Sequence, residues 1–382
     1  MSATTYPNYS PGLEGVIAGI SSISSIDVER SVLTYRGYNV HELAEFGSFE
    51  ETAYLLLMGK LPNAEELESF KKILGEERTV KGAVYDTLAS CPSNMHPMEM
   101  VRVGFAALPP FDRDYLAPAT DHDANVRKAV RIVAKASTIV ANGYRLLRGE
   151  KVVEPNPDDS IAGNFLRLLH GGKDPDPYTQ KVMDASLTLY AEHGFNASTF
   201  ACRVTVSTLS DIYSGIVSGI GTLKGPLHGG ANEEAMKMML EIGTPENAEA
   251  WVLDALATKK KIMGFGHREY KKGDSRAFYM SKQAKEIGKR LGNTQWGDMA
   301  DIVENVMMRE KGIIPNVDFP AAYAYYLLGI PIELYTPIFV IARTSGWCAH
   351  AIEQLDNNRL IRPTCIYEGP AEVPYVPLAD RP

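Results

Sequence analysis

Three of the eight histidines stand in settings that suit chemistry. His228 lies in Gly225-Pro-Leu-His-Gly-Gly-Ala-Asn-Glu233, His267 in Gly264-Phe-Gly-His-Arg268, and His193 in Glu192-His-Gly-Phe-Asn-Ala-Ser-Thr199. Glycine beside a histidine lets a ligand come close to the backbone. After His228 the chain runs Gly-Gly-Ala-Asn-Glu-Glu-Ala into a helical pattern. An imidazole at a helix N-terminus has its pKa lowered, so it stays neutral and donates a hydrogen bond. That is the posture of a catalyst. Other chemistries lack their signatures: there is no GxxxxGK[ST] or GxGxxG phosphate loop, no GxSxG elbow, and no CxxC, HExxH or EF-hand spacing. Nucleotide hydrolysis, serine hydrolysis and hydride transfer are unsupported, and so is a protein-made metal site. Acid–base work by His and Asp remains.

The elements that must position these residues read as mainly α-helical. Ser48 with Glu51 and Asn63 with Glu66 are capping boxes, and Gly75 reads as the stop of the second of these helices. Amphipathic runs follow at 125–148, 178–192, 246–261, 278–291 and 295–310. The stretches 203–222 and 336–355 are apolar on most faces, as buried helices are. The one strand signal is a hairpin of Val16 to Ile26 with Val32 to Tyr35. Pro- and Asp-rich segments at 108–123, 153–160 and 171–178 read as loops.

Composition narrows the partners. A chain of 382 residues, 45% hydrophobic and 23% charged, is long enough for two domains or one large one. Its 39 Lys and Arg against 47 Asp and Glu give a net charge of −8, which argues against nucleic-acid and anionic-membrane binding. No apolar run is long enough to span a bilayer. The first basic residue is Arg30, so a secretory or transit signal is not expected. Cys91, Cys202, Cys348 and Cys365 form no framework and read as buried thiols of a cytoplasmic protein. Against the acidic background, residues 255–290 hold eleven Lys and Arg and three acids, a local charge of +8. A polyphosphate-bearing small ligand suits that segment.

GPLHGGANE, IMGFGH, Asn316-Val-Asp318, IARTSGW at 341–347 and NNRLIRP at 357–363 together resemble citrate synthase, in that family's order and over nearly the whole chain. The resemblance implies a dimeric, mainly α-helical two-domain fold. Residues 1–224 with 333–382 would form a large domain, and 225–332 a small one that closes over the substrates. It implies Asp318 as the base that takes a methyl proton from acetyl-CoA. His228 would polarise the thioester carbonyl, and His267 would donate to the oxaloacetate carbonyl. His193, Arg276 and Arg343 would hold oxaloacetate, with Arg362 supplied by the other subunit. Ile262, Gly264, Gly266, Arg268, Lys271 and Lys272 fall in the region that binds the CoA nucleotide. No cofactor and no metal is implied.

The physics agrees with these roles. A thioester α-carbon is a very weak acid and a free Asp a weak base, so enolate charge must meet a fixed donor. Two carboxylates on oxaloacetate suit the planar fork of arginine. Read without the motifs, Arg343 is a buried ion pair, Arg362 a surface residue, and Asp318 the cap of the helix through Pro320. His350 reads as packing, and His41, His96, His122 and His170 have no chemical context. Three positions depart from the family pattern: Pro320 where many relatives have Tyr, Ser275 within Asp274-Ser-Arg276 where Pro is usual, and Glu269 in the basic loop. The expected activity is citrate synthesis, with 2-methylcitrate synthesis from propionyl-CoA as the near alternative. A non-catalytic CoA- or dicarboxylate-binding scaffold is the alternative of another class.

Overall fold

The computed structural model describes residues 9–266 and 273–382. Among them are sixteen α-helices and one small sheet. The sheet is antiparallel: β1 (Ser24–Asp27) pairs with β2 (Val32–Tyr35), Ser24 opposite Tyr35, and β3 (Tyr38–Asn39) follows. The first strand is thus shorter than the hairpin expected from Val16. Residues 16–18 instead lie along a cavity, with Ile17 exposed.

The first helices are α1 (Val40–Phe46), α2 (Phe49–Met58), α3 (Ala64–Glu77), α4 (Gly82–Ala89) and α5 (Pro97–Ala106). Asn63 and Glu66 form the expected capping box on α3. Gly75 does not stop that helix, which runs on to Glu77; a Cβ there would collide with the Pro157 carbonyl, so the glycine serves close packing. Next come α6 (His122–Leu147), α7 (Ile161–Leu169), α8 (Pro177–Tyr190), α9 (Ala197–Val206) and α10 (Ile212–Leu223). The apolar stretch 203–222 is therefore two helices. Leu209 takes a left-handed φ of 66°, and the Asp211 side chain caps α10 by accepting from Ser214 N–H. The remainder are α11 (Ala231–Ile242), α12 (Pro245–Ala257), α13 (Ser275–Arg290), α14 (Gln295–Lys311), α15 (Asp318–Leu327) and α16 (Tyr335–Asp356).

Helix α16 is the axis of the core. It packs on α6, α8, α9 and α10 and buries Trp347, Cys348 and Arg343. Gly219 of α10 lets the Trp347 ring approach to 3.0 Å of where a Cβ would sit. Helices α11 to α15 pack mainly on one another, α13 against α15 and α12 against α14. Cys202 and Cys348 are buried, Cys91 half-buried, and Cys365 is exposed on the C-terminal segment, contrary to the buried reading. No helix among the described residues is long and apolar enough to cross a membrane.

Candidate active site

A cavity of ≈1130 Å³ gathers His193, His228, Arg276, Asp318 and Arg343. These residues come from five separate parts of the chain. Each is held by a different local device.

His228 lies in the turn between α10 and α11, and α11 starts three residues later as the Gly-Gly-Ala pattern predicts. Its Nε2 receives the backbone N–H of Ser198 at 3.2 Å. That amide is in the first turn of α9, where backbone N–H groups have no helical partner. An amide N–H only donates, so Nε2 is an acceptor and the ring proton sits on Nδ1. Burial, helped by the charge of Arg343, pushes the His228 pKa down to about 4. The imidazole is a neutral donor at physiological pH.

Asp318 is the first residue of α15, not its cap; Val317 precedes the helix. Its N–H donates to Asn316 Oδ1 at 3.0 Å, and its carboxylate accepts the Tyr190 hydroxyl at 2.7 Å. Burial raises its pKa above the usual carboxylate value, with Tyr190 and Arg276 pulling the other way. Pro320 falls in the first turn, where a missing N–H costs no helical bond.

Arg276 is 4% exposed and gripped by Asp274, with Nε to Oδ1 at 2.9 Å and Nη2 to Oδ2 at 2.8 Å. Asp274 also caps α13 and accepts the Val317 N–H at 3.2 Å, so one carboxylate ties the arginine to the Asp318 segment. The Asp274 side chain, accepting from Arg276 N–H at 3.1 Å, holds the turn in which Ser275 stands. Arg343 is buried in α16; its Nε donates to Tyr190 O at 2.8 Å and its guanidinium lies 4.5 Å from the Phe339 ring centre. Burial lowers its pKa to about 10, with Glu192 pushing back up, so it remains a cation.

The other expected residues that the structure describes lie elsewhere. Arg362 is exposed on the C-terminal segment and does not line the cavity of its own chain. Ile262 is buried, and Gly264 and Gly266 also stand back from the cavity. Gly264 has φ 80° and lies where a Cβ would be 2.7 Å from Phe319 Cβ. Gly264 O accepts Asn316 N–H and Gly266 N–H donates to Ile314 O, at 2.9 and 3.2 Å. These glycines brace the Asp318 segment. His267, Arg268, Lys271, Lys272 and Glu269 fall outside the described residues.

Two side chains at the site escaped the sequence reading. Tyr190 bonds Asp318, and Glu192 is fully buried against His350, with Nε2 to Oε1 at 2.9 Å. His350 is therefore part of a polar network and not simple packing. Burial raises the Glu192 pKa, but His350 and Arg343 outweigh it and hold the carboxyl below its ordinary value. The helical spacing of Arg343, His350 and Glu353 was the available signal for this network.

Residues 12–364 match the family description "Citrate synthase, C-terminal domain". The chain belongs to the citrate synthase family. It is accordingly an enzyme of the citrate synthase type, a transferase. It is 47% identical over 371 residues to citrate synthase 2 of Bacillus subtilis, covering 97% of this chain and 98% of that one. It is 43% identical over 374 residues to 2-methylcitrate synthase 1 of Corynebacterium glutamicum, covering 97% and 98%. Citrate synthase from Pyrobaculum aerophilum superposes with a TM-score of 0.91 at 39% identity, over 97% of this chain and 95% of that one. The Thermoplasma acidophilum citrate synthase, solved with carboxymethyl coenzyme A and oxaloacetate, gives 0.90 at 34% identity, over 98% and 99%. The mainly helical fold and the family resemblance of the motifs are both borne out. No group of three His, Cys, Asp or Glu side chains among the described residues is arranged to hold a metal ion.

Proposed function

We propose that this citrate synthase family member condenses acetyl-CoA with oxaloacetate and hydrolyses citryl-CoA to citrate and CoA. The observation that carries the reading is one cavity holding a neutral imidazole with its proton on Nδ1, a carboxyl of raised pKa and two buried guanidiniums. Asp318 takes a proton from the acetyl methyl group. The electron pair moves onto the thioester oxygen, where the Nδ1–H of His228 meets it. The enol carbon then attacks the keto carbon of oxaloacetate, and His267 supplies the proton to that carbonyl oxygen. Water cleaves the thioester. Arg276, Arg343 and His193 hold the dicarboxylate, and the basic segment around 262–272 takes the CoA phosphates. The chemistry requires neither a metal nor a further cofactor.

Several features extend the reading. Helices α11 to α15 pack mainly on one another, which supports 225–332 as a small domain that closes once oxaloacetate is bound. The C-terminal segment leaves Ile366, Tyr367, Val373, Tyr375 and Leu378 exposed, a run of apolar surface suited to a second copy of the chain. We infer a cytoplasmic homodimer in which Arg362 completes the neighbour's site. Mixing inactive Asp318→Asn with inactive Arg362→Ala tests this. Shared sites return about half the parent activity per heterodimer, because one site inherits both lesions and the other neither. Verified heterodimers that stay inactive overturn it.

The second reading is 2-methylcitrate synthesis from propionyl-CoA, favoured by the 43% identity to the Corynebacterium enzyme. One methylene separates the substrates, a discrimination of about 1–3 kcal/mol set by pocket shape. The deciding experiment follows thiol release from acetyl-CoA and from propionyl-CoA, each with oxaloacetate. A higher kcat/KM with acetyl-CoA is expected. A higher value with propionyl-CoA reverses the order, and no thiol from either leaves a non-catalytic scaffold.

A further inference from the structure

Helix α16 presents Arg343, Gly346, His350 and Glu353 on one face, at spacings of three, four and three residues. All four address the segment that delivers His193, or what braces it. Arg343 Nε donates to Tyr190 O at 2.8 Å. Gly346 leaves room where a Cβ would collide with Ala191 O and Glu192 Oε2. His350 Nε2 lies 2.9 Å from Glu192 Oε1. Glu353 accepts from Arg203 Nη1 and from Ser22 N–H, both at 2.8 Å.

The protons in this chain of contacts are fixed by its ends. Arg203 Nη1 only donates, and it lies 3.0 Å from His350 Nδ1. Nδ1 is therefore the acceptor, and Nε2–H donates to the Glu192 carboxylate. That same Oε1 also accepts from Ser24 Oγ at 3.0 Å and from Gly194 N–H. One carboxylate thus joins α16, the β-hairpin and the residue just past His193. Neither His350 nor Glu192 is exposed at all, and neither lines the cavity. A charged group so deeply buried costs stability unless its geometry is well satisfied, and an apolar pair would fill the space more cheaply. What the polar pair adds is a fixed direction.

We propose that Glu192 and His350 are positioning residues that hold His193 and Arg343 in register for oxaloacetate. The proposal rests on reading this cavity as the oxaloacetate site. It assigns His350 no contact with substrate. Its effect travels through the Glu192 carboxylate into the backbone of residues 192–194.

Two amides separate the halves of the His350 contact. In His350→Gln the side chain is long enough to donate to Glu192. In His350→Asn it reaches only the position of Nδ1, toward Arg203. Oxaloacetate binding is measured by calorimetry, with kcat and both KM values from thiol release. His350→Asn is expected to raise the oxaloacetate Kd and KM about tenfold, with kcat and the acetyl-CoA KM within about twofold of the parent. His350→Gln is expected to recover oxaloacetate affinity to within about threefold. Equal losses in the two variants, or no loss in His350→Asn, overturn the proposal. Ser24→Ala, at a partly exposed position, keeps the test open if His350→Asn does not fold: it should raise the oxaloacetate KM about threefold, and an unchanged KM counts against the proposal. A parent protein that takes up no oxaloacetate overturns the site reading beneath it. A binding parent with unperturbed variants overturns this inference alone.

Discussion

On one wall of the cavity, Arg343 sits midway along α16, a helix of 22 residues with most of its surface buried. Around it Tyr190, Glu192, Arg203 and His350 are joined side chain to side chain or side chain to backbone. On the other wall, Asp318 opens a helix of ten residues, and the strand-like pieces before it are held largely by backbone bonds to Gly264 and Gly266. Two side chains tie that second wall together: Asp274 grips Arg276 and the Val317 amide, and Asn316 accepts from Asp318 N–H and donates to Gly266 O. The first wall is fixed in place by the core. The second is fixed within itself and hung from helices that pack mainly on each other. A site of this kind can keep Arg343 rigid while Arg276 and the base arrive as a unit.

The largest expected effect removes the base from the second wall. Asp318→Asn should lower kcat about a thousandfold, because a positioned general base contributes on that scale. Oxaloacetate affinity should stay close to that of the parent, since the Asn amide oxygen can still accept the Tyr190 hydroxyl and the groups that hold the dicarboxylate are unchanged. Thiol release and calorimetry read the two quantities separately. A near-normal kcat would reduce Asp318 to the opening residue of a helix. Arg343→Gln strikes the first wall instead. Losing one charged hydrogen-bonding partner for a dianion should raise the oxaloacetate KM about thirtyfold, with a smaller loss in kcat. If both variants shift KM and kcat in the same proportion, the two walls do not differ as described.

Much of this contrast was legible in the chain, for reasons that differ residue by residue. His228, Asp318 and Arg343 each sit in a short run whose order identifies the family, Arg276 sits in an Asp274-Ser-Arg276 that departs from its pattern, and the cavity collects all four. The neutral state of His228 was expected from the Gly-Gly-Ala run into α11, but burial and Arg343 are what lower its pKa. Its tautomer was not legible, because the amide that fixes it belongs to Ser198, thirty residues away. Tyr190 reads as one more apolar position near the end of α8, and only the meeting of α8 with α15 reveals its bond to Asp318. Gly75 was misread because a stop and a close approach leave the same residue; the Pro157 backbone decides between them. The split of 203–222 was hidden because both flanking helices are apolar, leaving Asp211 as the sole cap signal.

A matched pair of glycines sharpens the comparison at smaller scale. Gly264→Ala places a Cβ 2.7 Å from Phe319 Cβ at a backbone φ of 80°, so the residue next to Asp318 must move. Strain of about 1–3 kcal/mol is expected there, with kcat down about tenfold and oxaloacetate KM within about twofold. Gly346→Ala pushes on Ala191 O and Glu192. It should raise the oxaloacetate KM about tenfold and cost about 2 kcal/mol in urea unfolding, as overpacked core positions do. The reverse pattern would exchange the roles of the two walls.

The last expected effect concerns the charge of His228, which burial and Arg343 control while the Ser198 amide sets the tautomer. The folded protein holds this pKa at about 4, while the unfolded chain has the ordinary value of about 6.5. Between those values the unfolded state binds a proton that the folded state refuses. Stability from this group therefore falls as pH drops below about 6.5, and the fall ends near the folded value. From pH 7 to pH 5 the loss amounts to about 2 kcal/mol. Urea unfolding of the parent and of His228→Gln at both pH values isolates it: the variant should lose less stability on acidification by about that amount. In the parent, kcat should show no inflection near 6.5. Its acid limb should instead follow the Asp318 carboxyl, at a pH above the ordinary carboxylate value because burial raises that pKa. An activity loss centred near 6.5, together with identical acid sensitivity of the two proteins, would mean that burial beside Arg343 does not hold His228 neutral. The first wall would then position the imidazole without setting its charge.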